Sequence, residues 1–176
     1  MKYVLYIAAL LVLIILQSGL IGHLGLGEVG NLLMIFVVIA VILLETKEGL
    51  ILALAAGFML DLVSGSRDGT LMICMLAVLG VSHFYVYKLV PKEPNQLLLI
   101  SCVLVNTIVF ALSFVIINHV FALVRLDVIF DWRYILGKKL LLDLAANLVL
   151  TYPVYLYFIF LQKIQNRLGQ LLIRNY

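Results

Sequence analysis

The chain has 176 residues, of which 65% are hydrophobic and 12% are charged. Soluble domains hold about 45–50% apolar and about 25% charged residues, and much of a small domain must face water. The composition therefore excludes an ordinary soluble fold and predicts a protein embedded in a lipid bilayer. The formal net charge is +3, and the Lys and Arg residues form no basic stripe of the kind that binds nucleic acid.

Six apolar segments follow one another, and a membrane span needs about 20 predominantly apolar residues. The segments are 3–21, 32–44, 49–63, 70–90, 97–124 and 140–161. The second and third are short and are separated by the charged residues 45–48. They form either two short helices joined by a tight polar turn, with the first of them starting nearer Gly25, or a re-entrant hairpin. We favour two helices, which predicts one all-α polytopic domain over 1–176, a bundle of about six transmembrane helices.

The two ends of the chain indicate its orientation. The first segment has the long apolar run of a signal peptide but no A-x-A cleavage site, so we expect an uncleaved helix. In the tail 162–176, apolar residues at i, i+4, i+7 and i+8 predict an amphipathic helix on the membrane surface, namely Ile164, Leu168, Leu171 and Leu172. The tail is basic and free of acids, and segment 22–31 has no Lys or Arg. This asymmetry predicts cytoplasmic termini.

The aromatic residues of segment 125–139 indicate a stretch that lies along the lipid headgroups, where aromatic rings settle. They are Phe130, Trp132 and Tyr134.

Few polar side chains lie well inside the spans, namely Asp61, Asn106, Asp143 and Asn147. Asp143 and Asn147 are four residues apart, so they share a helix face and can point at one partner. Ionisable groups inside a membrane often mark a functional site. Structural roles are the alternative. Asp61 can hold the turn at 64–69 by hydrogen bonding or by pairing with Arg67, Asp143 can pair with Lys139, and the asparagines can bridge helices. The sequence leaves both alternatives open.

Signatures of enzymes and metal sites are missing from the sequence. The three histidines are isolated, with no HExxH motif and no carboxylate at metal-ligand spacing. No GxSxG elbow and no P-loop occurs. The two cysteines lie inside apolar runs and are expected to be small buried hydrophobes, namely Cys74 and Cys102. We expect no enzymatic activity, no cofactor and no bound metal.

Two local patterns concern helix contacts. Small residues in segment 64–69 allow a sharp reversal, and Ser66 or Asp68 can cap a helix that starts near Thr70. Small residues also follow one another in the third segment at spacings of four, three and one, namely Gly49, Ala53, Ala56 and Gly57. They permit close approach of a helix, which belongs either to a partner protein or to this chain's own second segment.

The stretch GFMLDLVSGS at residues 57–66, followed by Gly69, resembles the signature of the rod-shape-determining protein MreD family. That family has an apolar helix ending in Gly-x-x-x-Asp-x-x-Ser-Gly, then a short turn, a Gly and another apolar helix. The chain length, the number of spans and the interior Pro153 of the last helix fit the family as well. Two positions differ: members often carry Pro-Asp where this chain has Val29-Gly30-Asn31, and many have Pro at the position of Arg67.

The resemblance implies a non-enzymatic subunit of the bacterial cell-elongation complex in the inner membrane. Its partner would be MreC, a single-span protein with a periplasmic domain. The actin-like filament protein, the SEDS glycosyltransferase and its class B penicillin-binding protein would complete the complex. The lipid bilayer surrounds them, and no nucleic acid takes part.

The family is also similar in fold to the substrate-binding subunits of energy-coupling-factor transporters. This similarity supplies the alternative function, capture of a vitamin-type small molecule in a cavity on the outer side, with polar groups from Asn106, Asp143 and Asn147. The candidate partner- or ligand-binding residues are Gly49, Ala53, Gly57, Asp61, Ser64, Arg67, Asp143 and Asn147.

Overall fold

The computed structural model describes residues 2–21, 30–44, 46–64, 69–89, 96–124 and 131–174. The helices are α1 (Lys2–Ile15), α2 (Leu32–Leu43), α3 (Thr46–Ser64), α4 (Thr70–Leu89), α5 (Gln96–Leu123), the short α6 (Trp132–Tyr134) and α7 (Leu140–Arg174). A π-helical segment, here called the π segment, follows α1 at Leu16–Ile21, and the segment Ile135–Lys139 between α6 and α7 is kinked at Gly137.

The arrangement of the long helices is a ring of five around one. Helix α2 contacts α1, α3, α4, α5 and α7, and these five also contact one another in the order α1, α3, α4, α5, α7 and back to α1. Every residue of α2 from Leu32 to Val41 is buried. A helix that is apolar on all sides is stable only when it is surrounded, and the twelve apolar residues of α2 satisfy that condition.

The predicted fold class is confirmed: the protein is an all-α membrane bundle. Three helices in the described part of the chain are long and apolar enough to cross a bilayer, and they cover Thr70–Lys88, Gln96–Leu123 and Trp132–Arg167. Tyr3–Gly19 and Leu32–Leu43 are shorter apolar helices. Large apolar side chains such as Phe58, Leu123 and Val149 are exposed on the outside of the ring, where lipid replaces water.

The second and third segments form two separate helices, as the sequence analysis favoured. Helix α2 begins at Leu32 with Asn31 as its N-cap, and the proposed earlier start near Gly25 lies outside the described residues. Helix α2 is about 18 Å long at 1.5 Å per residue. That is shorter than the hydrocarbon core of about 30 Å, which a helix surrounded by protein does not have to match.

The end of the bundle that holds the N-terminus, here called the proximal end, is joined by aromatic packing. Tyr6 of α1 stacks on Phe158 of α7 with ring centroids 5.5 Å apart, and Phe36 of α2 lies 5.2 Å from Phe158. The Tyr6 hydroxyl donates to Gln165 Oε1 at 2.8 Å. Helix α7 continues through Pro153 and into the predicted tail without a break, so the tail is helical as far as Arg174 and continues the last span.

Candidate functional site at the distal end

The opposite end, here called the distal end, contains most of the buried polar contacts. Helices α1, α3 and α5 finish there, while α2, α4 and α7 begin there. The first N–H groups of a helix have no partner within the helix, and such a group is costly to leave unpaired in lipid. The distal end therefore has three sets of helical N–H groups to satisfy.

The first turn of α4 is capped by Asp61 of the preceding helix. Asp61 Oδ1 accepts from the N–H of Leu71 at 2.8 Å, and Oδ2 accepts from the N–H groups of Gly69 at 3.0 Å and Met72 at 3.1 Å. The carboxyl group is 6% exposed, and hydrogen bonds to a charged acceptor are the strong ones. Asp61 thus holds the turn by hydrogen bonding, one of the two roles expected for it. The other role, pairing with Arg67, lies outside the described residues, as do the caps expected from Ser66 and Asp68.

Two glycines make this turn possible. Gly69 has φ +89°, a left-handed conformation that glycine adopts without steric cost. Gly57 lies where α3 meets α4, and a Cβ placed on it would come within 2.5 Å of Met72 Cα. The helices touch backbone to backbone at this point, so both family-like glycines have a structural role within the chain.

The small-residue stripe also faces the interior of the protein. Ala53 and Ala56 are fully buried, and a Cβ on Gly49 would lie 2.9 Å from Val41 Cγ2 of α2. Of the two alternatives for this stripe, the structure supports packing within the chain. Gly49, Ala53 and Gly57 are therefore not available on the monomer's surface as partner contacts, because neighbouring helices already cover them.

The start of α2 is capped by residues that are distant in sequence. The N–H of Gly30 donates to Asp143 Oδ1 at 2.9 Å, and the N–H of Asn31 donates to Asn147 Oδ1 at 2.8 Å. The N–H of Leu32 donates to Gln17 Oε1 at 3.0 Å, and Asn31 Oδ1 accepts from the helix's own Met34 at 3.0 Å. Asp143 and Asn147 do point at one partner, as their spacing predicted, and that partner is the backbone entering α2.

Further contacts fix Asp143 and Asn147. The Lys139 ammonium lies 3.4 Å from Asp143 Oδ2, which confirms the expected ion pair. Asn147 Nδ2 donates to Thr107 Oγ1 at 2.9 Å, so Asn147 bridges α7, α5 and α2 as expected for an intramembrane asparagine. Asn106 does not bridge helices, because its amide donates to Cys102 of its own helix, to the carbonyl O at 2.8 Å and to Sγ at 3.4 Å. The Asn106 side chain bonds back to the preceding turn instead, so the structure supports the bridging alternative for Asn147 alone of these two asparagines.

A cavity of about 400 Å³ opens beside these caps. The polar residues of its lining are Gln17, Asn31, Ser64, Thr107, Lys139, Asp143 and Asn147. The apolar residues of its lining include Met34, Leu60, Leu71, Phe110, Ala111 and Phe114. The sequence analysis named Asp143, Asn147 and Ser64 but missed Gln17, Asn31 and Thr107, although a polar residue ahead of a long apolar run is typical of an N-cap.

Within the described residues, no group of three or more His, Cys, Asp or Glu side chains is placed to hold a metal ion. Cys74 and Cys102 are both fully buried, which confirms their expected role as small apolar residues. The lining of the cavity offers hydrogen bonds and apolar contact, which are the interactions that bind a small molecule. Comparisons with protein-family models, with curated proteins and with solved structures found no match for this chain.

Proposed function

We propose that this protein is a non-enzymatic scaffold subunit of a bacterial wall-elongation complex in the inner membrane, similar to MreD, with both termini in the cytoplasm. The observation that carries the proposal is the α3–α4 turn. Three of the residues that carry the resemblance, Gly57, Asp61 and Gly69, act together there as one structural unit. A motif whose spacing is required by such a turn is a stronger indication of relationship than a matching run of apolar residues.

Partner binding in this proposal takes place in the plane of the membrane. The connections between helices are short, so the partner, a single-span protein of the MreC type, has to meet the outer faces of the ring. Small residues on such a face favour association because helix backbones can approach closely in lipid. Gly80 of α4 and Ala145 of α7 are exposed small residues, and a Cβ on Gly80 would meet nothing within 4 Å.

Co-purification tests this proposal. The tagged chain should retain the MreC-type partner after solubilisation, together with the SEDS glycosyltransferase and the class B penicillin-binding protein. Gly80→Leu and Ala145→Leu each add bulk to one outer face without an internal clash, and at least one should reduce partner recovery at normal yield. Recovery of no wall-synthesis protein by the wild-type chain would contradict the proposal. Cysteine labelling at Lys2 and Tyr176 tests the orientation.

A second candidate function is supported by the cavity. A substrate-binding subunit of an energy-coupling-factor transporter needs a pocket on the outer side that is lined by several helices. With cytoplasmic termini, the distal cavity would open towards that side, and α2, α3, α4, α5, α7 and the π segment after α1 all contribute to its lining. Co-purification with an energy-coupling ATPase module instead of wall-synthesis proteins would favour this function over the first.

A further inference from the structure

The distal cavity retains hydrogen-bond donors after the helix caps have been satisfied. An amide side chain has one acceptor oxygen and two N–H donors. Gln17 Oε1 and Asn31 Oδ1 both accept from backbone N–H groups of α2, and this fixes which end of each amide is the oxygen. Within the described residues the amide nitrogens of Gln17 and Asn31 make no hydrogen bond to the protein, and both residues line the cavity.

The charges at the cavity are balanced internally. Lys139 and Asp143 pair at 3.4 Å. The start of α2 carries the partial positive charge of a helix N-terminus, and the Asp143 carboxylate accepts from Gly30 there. Among the described lining residues an ionic ligand would find no uncompensated charge of opposite sign, and it would lose its hydration on entry. The charge balance therefore favours an uncharged ligand.

The rest of the lining is mostly apolar and contains two aromatic rings, from Phe110 and Phe114. Cavities that bind small molecules usually measure about 300–1,000 Å³ and combine apolar walls with a few placed polar groups. The π segment Leu16–Ile21 also reaches the cavity, through Gln17. Such segments are rare and occur frequently at functional sites. This observation is independent of the hydrogen-bond and charge arguments.

We propose that the distal cavity binds an uncharged organic molecule whose apolar body packs against Phe110 and Phe114. Carbonyl or ring-nitrogen acceptors along one edge of that molecule receive hydrogen bonds from the Gln17 and Asn31 amides. The site goes beyond the scaffold function proposed above. If the protein is instead a substrate-binding transporter subunit, the inference rests on that function, and the uncharged molecule is its class of substrate.

The test uses 7-diethylaminocoumarin, an uncharged fluorophore with an apolar ring system and a carbonyl acceptor, and its 3-carboxylate as the charged counterpart. The full chain is reconstituted in lipid nanodiscs, and fluorescence is titrated against empty nanodiscs to subtract partition into lipid. Saturable binding of the uncharged compound is expected, with the carboxylate at least about tenfold weaker. No saturable binding by the wild type, or equal binding of the carboxylate, would overturn the proposal.

Four variants separate binding in the cavity from adhesion to the protein's surface. Ala111→Phe fills the cavity and should abolish binding, whereas Leu112→Phe, one residue along on the exposed face, should bind like the wild type. Gln17→Glu and Asn31→Asp keep the oxygen that caps α2 but remove the amide donors. Each should weaken coumarin binding about tenfold, the effect of one lost hydrogen bond.

Thermal unfolding of each variant is measured in parallel. If Ala111→Phe does not fold, the isosteric variants Gln17→Glu and Asn31→Asp still test the proposal. Undiminished binding by both of them would show that the amides do not contact the ligand and would overturn the proposal. Partner co-purification is a separate readout, because the surfaces at Gly80 and Ala145 do not line the cavity. Failure of ligand binding is thus distinguishable from failure of the scaffold function.

Discussion

The starts of α2 and α4 present the same physical problem at the same end of the bundle, and the chain solves it in two ways. At α4 a single carboxylate, Asp61, accepts three N–H groups that lie eight to eleven residues further along the chain. At α2 the acceptors come from α7, from the π segment after α1 and from Asn31 itself. Asp143 and Asn147 lie 113 and 116 residues away from the groups they cap.

The difference concerns what each cap holds together. The Asp61 cap fixes one turn between consecutive helices, and the contact can form as soon as both helices exist. The α2 cap connects the start of α2 to α7 through Asp143 and Asn147, and to the segment after α1 through Gln17. The hydrogen bond from Asn147 to Thr107 adds a contact with α5. The Asp61 cap is local and concentrates three hydrogen bonds on one carboxylate. The α2 cap divides its hydrogen bonds among elements that are distant in sequence. Substitutions at the two sites should therefore differ in both size and character.

The largest effect is expected for Asp61→Ala. The substitution leaves three N–H groups at the start of α4 without their acceptor, and each buried unsatisfied group costs about 1–3 kcal/mol. We expect a loss of at least about 3 kcal/mol in the free energy of unfolding, measured by denaturant titration in detergent micelles. The variant should therefore show a reduced amount of folded protein, and any loss of partner binding should follow from that reduction.

Asp131→Ala is the matched control, because Asp131 caps the short α6 through the N–H groups of Arg133 and Tyr134 but is exposed. A cap in contact with water is worth about 1 kcal/mol or less here, since water can replace the carboxylate. If the two substitutions cost the same, burial does not amplify the Asp61 cap and the contrast between the sites is lost.

Asn147→Ala should cost about 2 kcal/mol. It removes the acceptor for the N–H of Asn31 and the donor to Thr107, and hydrogen bonds between helices in membranes are individually modest. Asn118→Ala provides the comparison, because Asn118 is also buried but donates only to Phe114 O within its own helix. Unfolding of the two variants side by side should show the larger loss at Asn147, and a larger loss at Asn118 would contradict the bridging role.

The two sites also differ in how far the sequence predicts them. The role of Asp61 can be inferred from a short stretch of sequence, because the acid, the small residues and Gly69 all lie within nine consecutive residues. For Asp143 and Asn147, helical spacing predicts a common target but cannot identify it, since no local pattern specifies which distant helix start will lie alongside. Gln17 was missed for the same reason: one polar residue near the end of an apolar run has no spacing partner.

The small-residue stripe illustrates a further limit. Its spacing predicts that some helix approaches closely, but spacing alone does not distinguish a neighbour in the same chain from a separate protein. The buried positions of Ala53 and Ala56 resolve that ambiguity in favour of α2 and α4. The six helical segments themselves were well predicted, because length and apolarity are properties of each segment alone.

Gly57→Ala is expected to destabilise the protein by about 1–3 kcal/mol, the usual cost of overpacking, because the new methyl group would meet the backbone of Met72. Gly80→Ala, in open space on the same hairpin, should have the opposite sign and stabilise α4 by up to about 1 kcal/mol through helix propensity. The pair is compared by thermal unfolding in the same detergent. A lower unfolding temperature for Gly57→Ala beside an unchanged or higher one for Gly80→Ala would support the close approach at Gly57, and a stabilising Gly57→Ala would refute it.

The smallest effect is expected at Gln17, which provides one acceptor among several at the start of α2. Gln17→Met keeps the length of the side chain but removes the acceptor for Leu32, at a cost of about 1 kcal/mol. Gln17→Glu keeps that acceptor, and its unfolding midpoint should stay close to that of the wild type. If both variants unfold alike, the contact at Gln17 contributes nothing measurable to the distributed cap.

The enclosure of α2 by five neighbours has a consequence for how the chain is made. Synthesis proceeds from the N-terminus, so α2 is completed while most of its enclosure is still absent. The N–H of Asn31 has to wait until Asn147, 116 residues further along, has been translated and inserted. A twelve-residue helix is too short to rest in the bilayer unaided. The insertion of α7 is therefore the step that completes the enclosure of α2. In a ribosome-bound chain that ends before α7, α2 will lack the caps from Asp143 and Asn147.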